Sequence, residues 1–117
     1  MQVQEIVSLL GATVLAGADK MDMEVRSACG SDMMSDVLAY VKDQAVLLTG
    51  LLNPQVVRTA EMMDVVCIVF VRGKQPTPAM VELAEKYGKI MLSTGASLFT
   101  ACGLLYEHGL RGGAACE

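Results

Sequence analysis

Polar and basic side chains follow three short apolar segments of this sequence, at the points where we expect strands to end. The segments are 45–48, 65–71 and 89–92. The residues that follow them are Thr49, Asn53, Arg72, Lys74, Ser93 and Thr94. Guanidinium and ammonium groups neutralise anions, and hydroxyl and amide groups hydrogen-bond to them. If the three segments are parallel strands, these six residues form a shelf at one edge of the sheet, where a phosphate, nucleotide or carboxylate could be held.

A second polar segment, Ser31-Asp32-Met33-Met34-Ser35-Asp36, opens a predicted helix, and we expect Ser31 and Asp32 near the rim of the shelf. Asp32 and Asp36 are four residues apart and could bind a divalent cation. Acidic residues in a first turn more often complement the helix dipole, so we predict no metal site. A structural interpretation of the shelf also stays open, in which Asn53 is only a helix cap and Arg72 and Lys74 are solvated loop charges.

The common catalytic fingerprints are absent from the sequence. It contains no P-loop, no G-x-G-x-x-G and no G-x-S-x-G. His108, the only histidine, lies near the end of the last predicted helix, where it complements the helix dipole. Without a paired acid, base or nucleophile there is no reaction to write, so we predict a protein that is not an enzyme and has no cofactor.

The elements that must position the shelf can be predicted from apolar spacing and from turn residues. We expect helices over 2–10, 33–41, 53–63, 77–88 and 97–108, and strands over 12–15, 23–28, 45–48, 65–71 and 89–92. Asn53-Pro54 and Thr77-Pro78 are cap-plus-proline pairs that open helices. The β-α-β-α-β-α order of the second half predicts a single three-layer α/β/α domain with a mainly parallel sheet.

The composition and charge of the sequence argue against nucleic-acid-binding and membrane proteins. The 117 residues are 53% hydrophobic and 4% aromatic, with a net charge of −4. The basic residues are scattered, which disfavours nucleic-acid binding. No apolar segment reaches about 18 residues, and the N-terminus has no basic region of a signal peptide, so we expect no membrane association and a cytoplasmic location.

Methionine and cysteine are the apolar residues with the most distinctive placement. The doublets Met33-Met34 and Met62-Met63 cannot both point inward from one helix face, so some of these side chains are predicted to cover a homodimer interface. The four cysteines form no C-x-x-C pair. We interpret Cys67 and Cys102 as buried hydrophobic residues and Cys116 as exposed.

From Gln4 to Gly109 the sequence resembles the small stand-alone DRTGG-domain proteins, and more distantly the N-terminal domain of HPr kinase/phosphorylase. The segments that carry this resemblance are Glu5-Ile6-Val7, Val14-Leu15-Ala16-Gly17, Gly30-Ser31-Asp32-Met33-Met34-Ser35-Asp36-Val37-Leu38, Arg72-Gly73-Lys74-Gln75-Pro76 and Leu92-Ser93-Thr94. The residues that name the family are replaced, since Leu51-Leu52-Asn53 and Val71-Arg72-Gly73 stand in the corresponding loops. The resemblance implies a regulatory or scaffolding part, because related proteins combine this domain with nucleotide-sensing or catalytic domains.

We therefore predict a DRTGG-like domain over residues 1–109 and a flexible tail over 110–117. Its expected function is non-enzymatic regulation in energy or carbon metabolism, through a nucleotide or phosphorylated metabolite bound at the shelf and with a homodimer or a regulatory protein as partner. The alternative is a pure oligomerisation or protein-interaction module that binds no small ligand.

Overall fold

The computed structural model describes residues 1–41 and 43–113. The helices are α1 (Val3–Leu10), α2 (Met34–Tyr40), α3 (Pro54–Met62), α4 (Pro78–Lys86) and α5 (Leu98–Glu107). The strands are β1 (Thr13–Ala16), β2 (Ser27–Gly30), β3 (Ala45–Thr49), β4 (Val65–Phe70) and β5 (Ile90–Ser93). A short 3₁₀ helix, Ala18–Lys20, follows β1.

The five strands form one sheet in the order β1-β5-β4-β3-β2. Strands β2 to β5 are parallel, and β1 pairs with β5 in the antiparallel sense. Leu48 lies opposite Val69, and Val69 lies opposite Leu92, so the three central strands end close to one another. The predicted single α/β domain with a mainly parallel sheet is confirmed.

Helices cover both faces of the sheet. Val37 of α2, Val57 of α3 and Met80 of α4 pack in one apolar cluster with the inward side chains of β3 and β4. Ile6 of α1 and Leu105 of α5 pack in a second cluster on the opposite face. Successive right-handed β-α-β crossovers in one direction put α2, α3 and α4 on the same face. After β5 the chain crosses to the opposite face of the sheet, where α5 packs.

The predicted cap residues begin the helices that rise from the strand ends. The Asn53 side chain accepts a hydrogen bond from the Gln55 amide at 2.9 Å, and Thr77 Oγ1 accepts one from the Met80 amide at 3.3 Å. A proline follows each cap in the first turn. Each hydrogen bond satisfies a backbone donor that has no partner within the helix.

Strand β2 differs from its prediction in position. The strand predicted over 23–28 lies at Ser27–Gly30, because the preceding residues pair with the N-terminal segment instead of the sheet. Glu24 forms an isolated antiparallel bridge with Gln2, and the Val25 amide donates to the Met1 carbonyl at 2.7 Å. The alternation of polar and apolar residues over 23–28 correctly indicated an extended backbone, but it did not indicate which segment this backbone pairs with.

The segment after α5 begins with packed residues. Leu110 is buried in the core, and the Arg111 carbonyl accepts a hydrogen bond from the Ala28 amide at 2.9 Å. Residues 114–117, including the cysteine predicted to be exposed, lie outside the described residues. The domain boundary at 109 and the flexible tail stay predictions. Within the described chain, no helix has both the length and the apolar character needed to cross a membrane.

Candidate functional site

A tight turn at the end of β4 places the basic residues of the shelf. The Lys74 amide donates to the Val71 carbonyl at 3.2 Å, and the two central residues, Arg72 and Gly73, have φ values of 58° and 69°. Positive φ at both central positions is the geometry of a type I′ turn. Glycine adopts it freely, whereas an arginine side chain makes it unfavourable.

Two backbone hydrogen bonds fix this turn to the loop after β5. The Arg72 amide donates to the Ala96 carbonyl and the Gly73 amide to the Thr94 carbonyl, both at 2.8 Å. The loops after β4 and β5 lead to helices on opposite faces of the sheet, which makes this the topological switch point where open α/β sheets commonly bind ligands. Here the two backbone hydrogen bonds connect the loops across the switch point.

The Arg72 side chain extends from this turn toward the neighbouring strand β3. It lies over Gly50, since a Cβ atom added at Gly50 would be 2.6 Å from Arg72 Nη2. Gly50 therefore provides the space that the guanidinium group occupies. The ion pairs among the described residues include neither Arg72 nor Lys74, so neither cation makes a direct ion pair in that part of the chain.

Asp32 also lies beside Gly50, since its Oδ1 would be 3.5 Å from the same added Cβ atom. Its Oδ1 accepts a hydrogen bond from the Gly50 amide at 2.6 Å and one from Thr49 Oγ1 at 3.2 Å. These bonds hold the carboxylate at the carboxyl end of β3. A residue predicted at the rim thus lies near the centre, beside the arginine.

Three of the predicted hydroxyl groups face the protein interior. Thr49, Ser93 and Thr94 are buried. Ser93 Oγ donates to the Lys74 carbonyl at 3.0 Å, and Thr94 Oγ1 donates to the Leu10 carbonyl of α1 at 2.7 Å. Their predicted role in ligand binding stays a prediction, and in this structure they hold loops and elements together.

Two of the predicted polar residues use their side chains in hydrogen bonds to nearby backbone amides. Ser31 Oγ accepts a hydrogen bond from the Met33 amide at 3.0 Å, and Asn53 caps α3 as described. The cap uses only Asn53 Oδ1, which leaves its amide nitrogen free to donate.

The accessible part of the shelf is consequently smaller than predicted. We call it the open shelf, and it consists of Asp32, Asn53, Arg72 and Lys74, with the buried Gly50 beneath the Arg72 guanidinium. Two cations, one amide donor and one carboxylate suit a ligand that carries an anionic group and also hydroxyl groups. Within the described residues, no group of three or more metal-ligating side chains is present.

Sequence reasoning missed three contributors to this site. They are Gly50, the Ala96 carbonyl that fixes the turn, and Gln75, whose Nε2 donates to Ser93 Oγ at 3.2 Å. The glycine after a predicted strand was a visible signal, because glycine often marks close approach of other groups to the backbone. The other two depend on tertiary contacts.

The thiol groups of the described residues are poor nucleophiles. Burial raises the pKa of Cys29, and the nearby Cys102 and Asp36 raise it further. Burial also raises the pKa of Cys102 and of the fully buried Cys67. All three are therefore protonated at neutral pH, and the thiolate is the reactive form.

Comparison with known proteins gives a family and a fold. The sequence matches the model of the family described as the DRTGG domain over residues 5–107. A solved structure of similar fold is that of the CBS and DRTGG domains of the regulatory region of Clostridium perfringens pyrophosphatase, complexed with its activator, diadenosine tetraphosphate. The TM-score is 0.73 at 16% identity, over 89% of this chain and 45% of that chain. No curated protein matches the sequence.

Proposed function

The chain belongs to the DRTGG domain family, and on that premise we propose that it is a regulatory module that binds a small anionic ligand or nucleotide at the open shelf. The regulated process would be energy or carbon metabolism, in the cytoplasm. The chain spans less than half of the pyrophosphatase regulatory region, so its assembly with other domains is part of the proposal.

The observation that carries this proposal is the conformation of Arg72. A left-handed backbone costs a residue with a side chain about 1–2 kcal/mol, and glycine avoids this cost. Strain of this kind persists mainly at functional sites. The guanidinium group held over Gly50 makes no ion pair among the described residues, and we attribute the retention of this strained arginine to binding of a ligand.

The groups beside Arg72 favour a nucleotide or a phosphorylated metabolite. Arginine binds phosphate oxygens through two parallel hydrogen bonds, and Lys74 adds a second positive charge nearby. The Asp32 carboxylate would repel a bare anion, but it can accept hydrogen bonds from ribose or sugar hydroxyl groups. The diadenosine tetraphosphate bound by the pyrophosphatase regulatory region makes nucleotides the first ligands to test.

A regulatory role suits the chemistry of the shelf better than catalysis. Asp32 is held by two internal hydrogen bonds, and among the described residues its hydrogen-bond partners include no histidine or thiol that could share a proton transfer. The open shelf thus offers recognition without a general acid or base pair. We propose that binding is read out by a protein partner or by a further domain.

The proposal is tested by a thermal-shift screen of the purified chain. The probes are diadenosine tetraphosphate, ATP, AMP, acetyl phosphate, acetyl-CoA and inorganic phosphate. A ligand at 100 times its dissociation constant adds about 2.7 kcal/mol to the free energy of unfolding, and this raises the midpoint by several degrees in a domain of this size. A screen without any shift would contradict the proposal and favour the alternative of a pure interaction module.

Two variants assign the binding to the open shelf. Arg72→Ala removes a charge-assisted contact worth about 1.5–3 kcal/mol, so we expect the affinity to fall about 10- to 100-fold. Gly50→Ala keeps every charge but places a methyl group where the guanidinium lies, so it should weaken binding similarly while leaving the stability of the fold nearly unchanged.

The matched control is Arg58→Ala, on the exposed side of α3. It removes the same charge from a position away from the turn at Arg72. We expect this control to bind like the wild type. Equal losses in Arg58→Ala and Arg72→Ala would indicate a general charge effect and contradict a specific site at the shelf.

A further inference from the structure

The outer face of α5 is apolar although it is exposed. Phe99 is 89% exposed and Tyr106 is 48% exposed. Across the ten residues of this helix, Leu98–Glu107, the one charged residue is Glu107. By contrast, α3 and α4 carry charged residues on their exposed sides, such as Arg58 and Glu82. A helix that is apolar around its whole circumference is normally buried.

A groove lies beside this helix, next to the edge strand β2. Its volume is about 680 Å³, and it is lined by Gly30 of β2 and by Leu98, Phe99, Cys102, Gly103 and Tyr106 of α5. We call these five residues of α5 the α5 face. Gly30 lets the helix approach the strand closely, because a Cβ atom there would be 2.6 Å from Cys102 Sγ. None of the lining residues is charged.

The order of residues along the α5 face makes it complementary to itself. Phe99, Cys102, Gly103 and Tyr106 follow the spacing i, i+3, i+4 and i+7, which places them along one side of a helix. Large residues occupy the two ends, and small residues occupy the centre. The order of sizes is the same in both directions, so a twofold axis at the centre brings the small residues of both copies together.

We propose that the α5 face binds the α5 face of a second copy of this chain. The two helices run antiparallel and cross between Cys102 and Gly103, where the small side chains let the backbones approach. Phe99 then packs against the second copy's Tyr106, and this aromatic pair occurs twice by symmetry. The exposed phenylalanine occupies the groove of the partner.

Charge also favours a second copy in this arrangement. The chain carries a net charge of −4, so two copies meet with least repulsion at a face that contains no acidic residue. A charged group that touches the α5 face is the cation Arg111, whose guanidinium lies 3.8 Å from the centre of the Tyr106 ring. Glu107 lies at the C-terminal end of α5, where its charge is unfavourable to its own helix dipole. Antiparallel pairing brings Glu107 beside the positive N-terminal end of the partner helix, at Leu98.

The methionine doublets mark a competing surface on α2 and α3. Met33 is 61% exposed and Met62 is 67% exposed, so the homodimer interface predicted there stays open as an alternative. The two surfaces are on helices that cover opposite faces of the sheet. Single substitutions can therefore separate them.

Sedimentation velocity over a range of protein concentrations tests the proposal. The wild type should form a dimer of twice 12.4 kDa. Phe99→Glu puts two charges into the interface and should raise the dimer dissociation constant at least about 30-fold. Because Phe99 makes little contact within its own chain, the variant should keep the wild-type circular dichroism. The matched control Met62→Glu should remain dimeric.

Other outcomes overturn the proposal. The proposal is wrong if the wild type is monomeric at every concentration. It is also wrong if Met62→Glu dissociates the dimer and Phe99→Glu does not. A positive test of the crossing point uses a short bismaleimide and Gly103→Cys in a chain whose Cys29, Cys102 and Cys116 are replaced by serine, because Gly103 is exposed and has open space beside it. The introduced thiol should cross-link to the same thiol of the second copy, and a dimer that gives no cross-link contradicts the crossing point. These results are independent of any ligand at the shelf.

Discussion

Arg72 is one of three residues other than glycine that have a positive φ in the described chain, with Gln44 and Asp64. The Gln44 amide donates to Asp64 Oδ2 at 3.2 Å, which joins these two positions, and aspartate is a residue type that tolerates this conformation. The Arg72 backbone is held by the bond from its amide to the Ala96 carbonyl at 2.8 Å, a bond that glycine would also make. The backbone contacts therefore do not account for an arginine at this position, and we attribute its presence to where it puts the guanidinium group.

Replacing Arg72 by glycine should separate stability from function. Arg72→Gly relieves the backbone strain, and after the added entropy of the unfolded chain we expect the free energy of unfolding to rise by about 0.5–1 kcal/mol. Binding of the ligand identified by the screen should fall as it does in Arg72→Ala. Urea denaturation and calorimetric titration measure the two effects.

The alanine variant is the control for strain. Arg72→Ala keeps a Cβ atom in the left-handed conformation, so it should be less stable than Arg72→Gly by a similar amount. If glycine lowered the stability below that of alanine, the backbone at position 72 would not be strained, and the main support for the proposed site would be lost.

Thr59 is a second residue whose chemistry conflicts with its surroundings. Its hydroxyl oxygen is buried on α3 and has no hydrogen-bond partner among the described residues. An unsatisfied buried hydroxyl costs about 1–3 kcal/mol. Thr59→Val should therefore raise the free energy of unfolding by about 1 kcal/mol in urea denaturation. A loss of stability would show that the hydroxyl has a partner, such as a bound water.

At the scale of elements, local signals predicted most of the fold. The caps Asn53 and Thr77, each followed by proline, gave the starts of α3 and α4, and the apolar run from Val65 gave β4. These signals act within a few residues of one another, so they can be read from the sequence.

Elements that depend on distant partners were predicted less well. The polar segment that begins with Ser31 and Asp32 was expected to open α2, but the N-cap residue is Met33 and has no side-chain hydrogen bond. Asp32 is instead used by the Gly50 amide, 18 residues along the chain. The predicted shelf differs from the observed one for a similar reason. The residue types indicated anion binding, but the burial of Thr49, Ser93 and Thr94 depends on tertiary packing, which the sequence alone does not show.

The cap of α3 allows a charge to be introduced without loss of the helix. Asparagine and aspartate cap helices almost equally well, so Asn53→Asp should change the free energy of unfolding by less than about 0.5 kcal/mol. The new negative charge at the open shelf should weaken binding of an anionic ligand by about 5-fold at low salt. Titration calorimetry would measure the affinity.

The matched charge control is Gln4→Glu on α1, which packs on the opposite face of the sheet. It changes the net charge equally, and it should leave the affinity unaltered. Higher salt should reduce the effect of Asn53→Asp, because exposed charges are screened. An affinity that Asn53→Asp does not change would place the ligand away from α3.

At the scale of the whole molecule, the two proposed surfaces adjoin. The open shelf lies at the carboxyl ends of β2, β3 and β4, and the groove beside the α5 face reaches the same end of β2 at Gly30. Arg72→Ala and Phe99→Glu each change one of the two surfaces. These variants therefore allow ligand binding and assembly to be measured separately in one protein.

The most direct test of the central claim is a map of amide chemical-shift changes in the ¹⁵N-labelled chain on addition of diadenosine tetraphosphate, with inorganic phosphate as a second probe. We predict that the largest changes occur at the Gly50, Asn53 and Gly73 amides and that they are lost in Gly50→Ala. Changes confined to the α5 face, or no changes with either probe, would contradict binding at the open shelf.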